Sequence, residues 1–223
     1  METPIKAVLF DLDGTLTNTL EDIADAMNRA LSLTGLPTWE TEAYKLLVGN
    51  GARTLAQRAV RDREDKVEEV LDLYQRWYET HNQEKTRPYA GVPELLHGLN
   101  ERGIPLCVLS NKPDRDTKNV VAHYFPDIPF AAVRGQVEGF PIKPDPAGAL
   151  LLSRELGIEP RNFAYLGDTK VDMSCAVRAG MQPVGVLWGF RSREELVENG
   201  AKTLLEKPED MLSYLDKQIG FFS

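Results

Sequence analysis

Cysteine is nearly absent from this 223-residue chain, which has only Cys107 and Cys175. They form no CxxC pair and no zinc pattern. Two scattered thiols build no disulfide scaffold, so two buried, reduced cysteines in a cytosolic protein are expected. Histidine is as sparse, and His81, His97 and His123 are dispersed without a metal-binding pair. No apolar run approaches the roughly 20 residues that span a bilayer. The N-terminal stretch carries Glu2 and only a short apolar run, whereas a secretory leader has a basic start and a longer apolar core. A soluble, cytoplasmic protein is expected. Positive charge is also short: Lys and Arg number 26 against 34 Asp and Glu, a formal charge of −8. That balance argues against nucleic acid and anionic membranes as partners. There is no internal repeat and no low-complexity segment.

What is present is an ordinary globular mixture, 42% hydrophobic and 27% charged. The length suits one large domain or one domain carrying an insertion. Ala7-Val8-Leu9-Phe10 is short, continuous and unalternating, as in a strand buried on both faces of a parallel sheet. After it the pattern turns helical. Leu20, Ile23, Met27, Ala30 and Leu31 recur at helical spacing, with Thr19 as an N-cap and Gly35 as a stop. Val67, Val70, Leu71, Tyr74, Trp77 and Tyr78 form a second amphipathic stripe, which reads as a helical core. Between them, Val48-Gly49-Asn50-Gly51 is a glycine-rich break. From Thr86 helices and strands alternate, with strands expected at 104–109, 130–133, 163–166 and 183–188 and helices at 92–102, 113–124, 147–156 and 171–179. A last helix opens at Glu194. This alternation predicts an α/β fold with a Rossmann-like, doubly wound parallel sheet. Residues 1–16 and 87–223 form its core domain, and residues 17–86 form a small α-helical cap domain inserted after the first strand.

In such a sheet the site lies beyond the carboxyl ends of the strands. There stand Asp11-Leu12-Asp13-Gly14-Thr15, Ser110-Asn111-Lys112 and Gly167-Asp168-Thr169-Lys170-Val171-Asp172, joined by Lys143-Pro144-Asp145-Pro146. Carboxylates, a hydroxyl, an amide and lysines at one sheet edge suit a hard divalent cation and a phosphate. Of Asp11 and Asp13, one carboxylate can serve as nucleophile and the other as general acid and base. Asp168 adds a third carboxylate, enough to hold Mg²⁺. Ser110 and Asn111 can hydrogen-bond phosphate oxygens, and Lys143 places a positive charge against them. Each piece also has a plainer reading: Ser110 as a helix N-cap, Asp172 as a first-turn helix acid, and Arg53 as a surface residue.

Taken in order, these four motifs resemble those of the haloacid dehalogenase superfamily of phosphohydrolases, and the helical insertion resembles that superfamily's small cap. The match runs from about Ile5 to Met211. Within the superfamily the chain looks most like phosphoglycolate phosphatases, through Val48-Gly-Asn-Gly, Thr86-Arg-Pro-Tyr-Ala-Gly-Val-Pro, Ser110-Asn-Lys-Pro and Trp188-Gly-Phe. The resemblance implies Asp11 as nucleophile, forming an aspartyl-phosphate, and Asp13 as acid and base. It implies Mg²⁺ held by Asp11, Asp168 and the backbone carbonyl of Asp13, with Asp172 orienting the metal waters or Lys143. Ser110, Lys143, Asn111 and Thr15 would bind the phosphoryl group, while Asn50, Gly51 and Arg53 in the cap would choose the substrate. Many relatives carry Asp where this chain has Asn18, at the hinge into the cap. The resemblance leaves open an inorganic pyrophosphatase, a sugar or nucleotide phosphatase, and a phosphomutase. A small phosphorylated substrate and a monomer or homodimer are expected.

Overall fold

The unalternating run after the N-terminus becomes a central strand, and its neighbours show why it carries no polar residue. The computed structural model describes residues 4–220. In chain order the elements are β1 (Ala7–Phe10), β2 (Thr17–Asn18), α1 (Leu20–Leu33), α2 (Tyr44–Leu47), α3 (Gly51–Ala59), α4 (Val67–His81) and β3 (Arg87–Pro88). Then follow α5 (Val92–Glu101), β4 (Leu106–Pro113), α6 (Asp114–Tyr124), β5 (Ala132–Gln136), α7 (Ala147–Leu156), β6 (Phe163–Gly167), α8 (Lys170–Ala179), β7 (Gln182–Val186), α9 (Arg193–Glu198), β8 (Thr203–Leu205) and α10 (Asp210–Gly220). Six strands form one parallel sheet in the order β5-β4-β1-β6-β7-β8. The chain starts in the middle, winds to one edge, returns and winds to the other. That is the Rossmann-like doubly wound order, and its crevice opens where the winding reverses, beside β1.

Both faces of the sheet are covered. Val8 and Phe10 point into a cluster with α5, α6 and α10, while Ala7 and Leu9 point into a second cluster with α7 and α8. Each fully buried Leu or Phe there contributes about 1.5–3 kcal/mol. Cys107 and Cys175 lie in the second cluster. Burial pushes their thiols up to about 11 and about 12 respectively, so both are inert neutral side chains at physiological pH.

Helices α1 to α4 pack on one another around Leu20, Ile23, Met27, Leu31, Tyr44, Val70 and Tyr74. The chain enters this helical segment through β2 and leaves it through β3. These pair antiparallel, with Thr17 opposite Pro88 and Asn18 opposite Arg87. The Asn18 side chain accepts a hydrogen bond from the Leu20 N–H, so it helps start α1. Buried Asp22 fastens the exit. Its carboxylate accepts bonds from the Lys85 and Thr86 N–H groups and the Thr86 hydroxyl. No helix among the described residues is long and apolar enough to cross a membrane.

Several element bounds differ from the sequence reading. The strand expected at 104–109 runs instead from Leu106 to Pro113, with a register irregularity between Leu109 and Pro113. Ser110, Asn111 and Lys112 therefore sit in an irregular strand end, where a ladder disruption re-aims side chains. The short elements β2, β3 and α2 went unforeseen, and two more carried too weak a pattern. One is β8, a three-residue edge strand. The other is α10, whose start is set by Asp210 accepting the Glu206 and Lys207 N–H groups.

Candidate active site

Asp11 follows β1 directly, and its N–H is tied to the Leu166 carbonyl of β6. The chain then turns sharply: the Gly14 N–H reaches the Thr17 carbonyl, and Gly14 adopts φ +94°. A Cβ at Gly14 would lie 2.3 Å from an Asp168 carboxylate oxygen. Glycine is needed there both for the left-handed backbone and for the close approach. Gly189 plays the same part from the far side, where a Cβ would meet the Asp168 Cβ at 2.2 Å and the Gly14 carbonyl at 2.4 Å.

This packing holds Asp168 fully buried. One of its oxygens accepts the Phe190 N–H at 2.8 Å, and the other lies 3.3 Å from the Thr15 hydroxyl. Asp172 stands in the first turn of α8. Its Oδ2 accepts the Thr169 N–H and hydroxyl, a helix-capping role, and its Oδ1 accepts from Lys143 at 2.7 Å. The same Lys143 ammonium donates to Asp11 Oδ1 at 2.7 Å. Lys143 is 3% exposed and arrives from the loop before α7. Asn111 holds it there. The Asn111 amide accepts from the Lys143 N–H and donates to the Lys143 carbonyl and to the Gly49 carbonyl.

Oxygens of Asp11, Asp168 and Asp172 all lie within 4.8 Å of one another. Two of these three buried carboxylates share one lysine, and the electrostatics show the strain. Burial, with the Asp172 charge next, pushes the Asp11 carboxyl up to about 7. Burial and the Asp11 charge push Asp168 well above the carboxylate range. Burial works against the Lys143 charge, but Asp11 and Asp172 outweigh it and hold the ammonium above its usual value. Clustered hard oxygen donors with surplus negative charge suit a hard divalent cation, which would relieve both effects.

Asp13 sits apart from this cluster. Its Oδ2 pairs with Lys112 Nζ at 3.0 Å, while its Oδ1 is buried without a partner. Lys112 Nζ also donates to the Tyr78 hydroxyl of α4 at 2.7 Å. Between the strand ends and the helical segment lies a cleft of about 60 Å³. Asp11, Asp13, Ser110 and Lys143 line one side, and Gly49, Gly51 and Tyr78 line the other.

Of the sequence-derived residues, Asp11, Asp13, Gly51, Ser110, Asn111 and Lys143 line this cleft, Thr15, Asp168 and Asp172 belong to the bonded cluster beside it, and two residues turn elsewhere. Arg53 pairs with Glu68 on the exposed surface, and the Asn50 amide oxygen accepts from Arg58. Neither lines the cleft. Asn111 lines it but has its amide committed to backbone groups. Three contributors escaped the sequence reading. Lys112 was visible only as a residue after a strand, Tyr78 only as part of an amphipathic stripe, and Phe190 contributes a backbone N–H that no side-chain pattern reveals.

A family model described as haloacid dehalogenase-like hydrolase matches residues 8–186. A phosphoglycolate phosphatase of Haemophilus influenzae is 33% identical over 224 residues, covering 96% of this chain and 100% of that protein. One of Aquifex aeolicus is 30% identical, covering 96% and 99%. The crystal structure of a "predicted phosphoglycolate phosphatase" from Haemophilus somnus superposes with a TM-score of 0.88 at 29% identity, covering 95% of this chain and 98% of that one. The four strand-end motifs, the doubly wound sheet and these matches agree: the chain belongs to the haloacid dehalogenase-like hydrolase family.

Proposed function

We infer that the protein is a Mg²⁺-dependent phosphatase of small phosphomonoesters, with 2-phosphoglycolate as its substrate and glycolate and phosphate as products. The observation that carries the reading is the Lys143 ammonium shared by Asp11 and Asp172 inside a buried carboxylate cluster at the cleft. Relatives named phosphoglycolate phosphatase at 33% and 30% identity support the substrate. So does a cleft of about 60 Å³, room for a few water-sized groups at ~10–15 Å³ each. Residues 17–86 serve as the cap that closes over it.

Asp11 is the nucleophile. Lys143 holds its Oδ1, which leaves Oδ2 to attack phosphorus. As the Asp11–phosphorus bond forms, the bond to the ester oxygen breaks, and Asp13 gives that oxygen a proton. Asp13 then takes a proton from water, which attacks the aspartyl-phosphate, releases phosphate and restores Asp11. Ser110 and the backbone N–H groups around Gly14 and Thr15 bind the phosphoryl oxygens, and Lys143 offsets their charge. Asp11 and Asp168 would hold Mg²⁺ together with the Asp13 carbonyl, while Asp172, with both oxygens engaged, fixes Lys143. Bound there, the ion supplies positive charge to the phosphoryl oxygens and to the crowded carboxylates.

A panel of phosphate esters and pyrophosphate, ranked by kcat/KM with and without Mg²⁺, tests this reading. The expected result is Mg²⁺-dependent phosphate release, fastest from 2-phosphoglycolate. Preference for pyrophosphate, a nucleotide or a sugar phosphate would overturn the substrate while keeping the chemistry. Asp11→Asn should abolish turnover with folding intact, and unchanged turnover would mean another nucleophile.

A further inference from the structure

Lys112 is a lysine 6% exposed beside a catalytic cleft, and no step above uses it. Burying an ammonium is costly unless it is paired, so its partners reveal its purpose. Two side chains hold it and a third, charged, lies nearby, each from a different part of the fold. Asp13, in the turn after β1, takes Nζ at 3.0 Å through Oδ2. Tyr78, on α4, takes it through the hydroxyl at 2.7 Å and presents its ring 4.6 Å from Nζ. The Asp116 carboxylate, on α6, lines the same cleft and adds negative charge near the ammonium without a direct bond to it. Burial works against the Lys112 charge, but the carboxylates, Asp13 foremost, hold the ammonium above its usual value, so it stays charged.

Tyr78 is 2% exposed and belongs to the hydrophobic cluster of the helical segment. Its hydroxyl therefore reaches Lys112 only while α4 is seated over the strand ends. Asp13 is gripped by one oxygen alone, and the other is buried without a partner in the wall of the cleft. A carboxylate pinned through Oδ2 has a defined direction for Oδ1. With Tyr78 withdrawn, Lys112 loses one of two anchors and is free to turn toward Asp116, and Asp13 loses its orientation.

We propose that Tyr78 and Lys112 are a positioning pair that aims the Asp13 carboxylate at the leaving oxygen when α4 is seated, coupling closure of the helical segment to proton transfer. The proposal rests on the reading of Asp13 as general acid. It explains why the lysine is buried, why it bridges the two parts of the molecule, and why one Asp13 oxygen is left open.

The test compares two phosphomonoesters in the Mg²⁺-loaded full-length protein. One is an alkyl ester such as 2-phosphoglycolate, whose leaving oxygen must be protonated. The other is an aryl ester with a nitrophenolate leaving group, which departs without a proton. Tyr78→Phe should lower kcat for the alkyl ester by about three- to tenfold, the range of one net hydrogen bond. KM should move little, and the loss on the aryl ester should be clearly smaller. Lys112→Met should widen the same split toward the ~10²-fold range of general acid catalysis. Mg²⁺ affinity by calorimetry and the melting temperature of Tyr78→Phe should stay close to wild type. Equal losses on both esters, or a loss confined to KM, would overturn the proposal. Asp13→Asn separates the two layers. If it is selective for the alkyl ester and Tyr78→Phe is not, the coupling fails alone; if Asp13→Asn is unselective, the acid assignment fails with it. Tyr78→Phe keeps the test decisive should Lys112→Met fail to fold.

Discussion

Lys143 is the residue on which the electrostatics turn. It is the ammonium bonded to both Asp11 and Asp172 at 2.7 Å, and all three side chains are buried. Removing one partner of a buried ionic cluster typically costs ~3–5 kcal/mol, because the remaining charges are stranded. Lys143→Met should destabilise the metal-free protein on that scale at pH 8 and by less at pH 5, where Asp11 takes up its proton. Chemical denaturation at the two pH values checks it. Asp11 gives a second prediction. Its carboxyl is raised from an ordinary 3.8 to about 7, first by burial. Between those values the folded state binds more protons than the unfolded one, so this group's contribution to stability declines as pH rises from about 4 to about 7. A divalent cation must displace the Asp11 proton below about pH 7 and not above it. Saturating Mg²⁺ should therefore raise the melting temperature more at pH 8 than at pH 5.5, and calorimetry should show proton release on binding near neutral pH. A larger Mg²⁺ effect at the lower pH would contradict this account.

Among the elements, the strand ends matter more than the strands. Local pattern was enough to place β1, α1, α4 and α7, since continuous apolar runs and 3.6-residue stripes report burial directly. It was not enough to show that β4 continues through Ser110, Asn111 and Lys112, because polar residues in an irregular strand end look like a loop. Nor could it show that the turn after β7 supplies a carboxylate with its partner. That turn brings Gly189 against Asp168 and the Phe190 N–H onto its oxygen. Gly189→Ala should force Asp168 or the Gly14 turn to shift, at the ~1–3 kcal/mol typical of overpacking. Mg²⁺ affinity should fall with stability; calorimetric titration of a folded sample measures the first and a thermal or denaturant melt the second.

At the scale of the whole molecule, the helical segment and the sheet are joined by more than the β2–β3 ribbon. Phe190 belongs by chain to the turn after β7, yet its ring packs into the core of the helical segment. Arg191 beside it donates to the Val48 carbonyl at 3.1 Å, next to the Gly49 that lines the cleft. One short segment thus touches the Asp168 carboxylate, the helical core and the wall of the cleft. Phe190→Ala should cost about 3 kcal/mol or somewhat less, since the ring lies at an edge of its cluster. If that ring also holds the segment seated, KM should rise more than kcat falls. An unchanged KM in a folded variant would show that the contact is purely structural.

The sequence by itself determined the scaffold of this protein and which polar groups gather at one edge of its sheet. Apolar runs closed by Asp11-Leu-Asp-Gly, Ser110-Asn-Lys and Gly167-Asp are local, and a parallel sheet brings its strand ends to one edge regardless of detail. Tertiary structure alone decided the pairing of charges. Asp11 and Lys143 are 132 residues apart, and Lys112 and Tyr78 are 34 apart. Their distances depend on how the elements pack, which no local periodicity encodes. Packing likewise sent Arg53 to a surface pair with Glu68 while bringing Lys112, to which the sequence assigned no role, between Asp13 and α4.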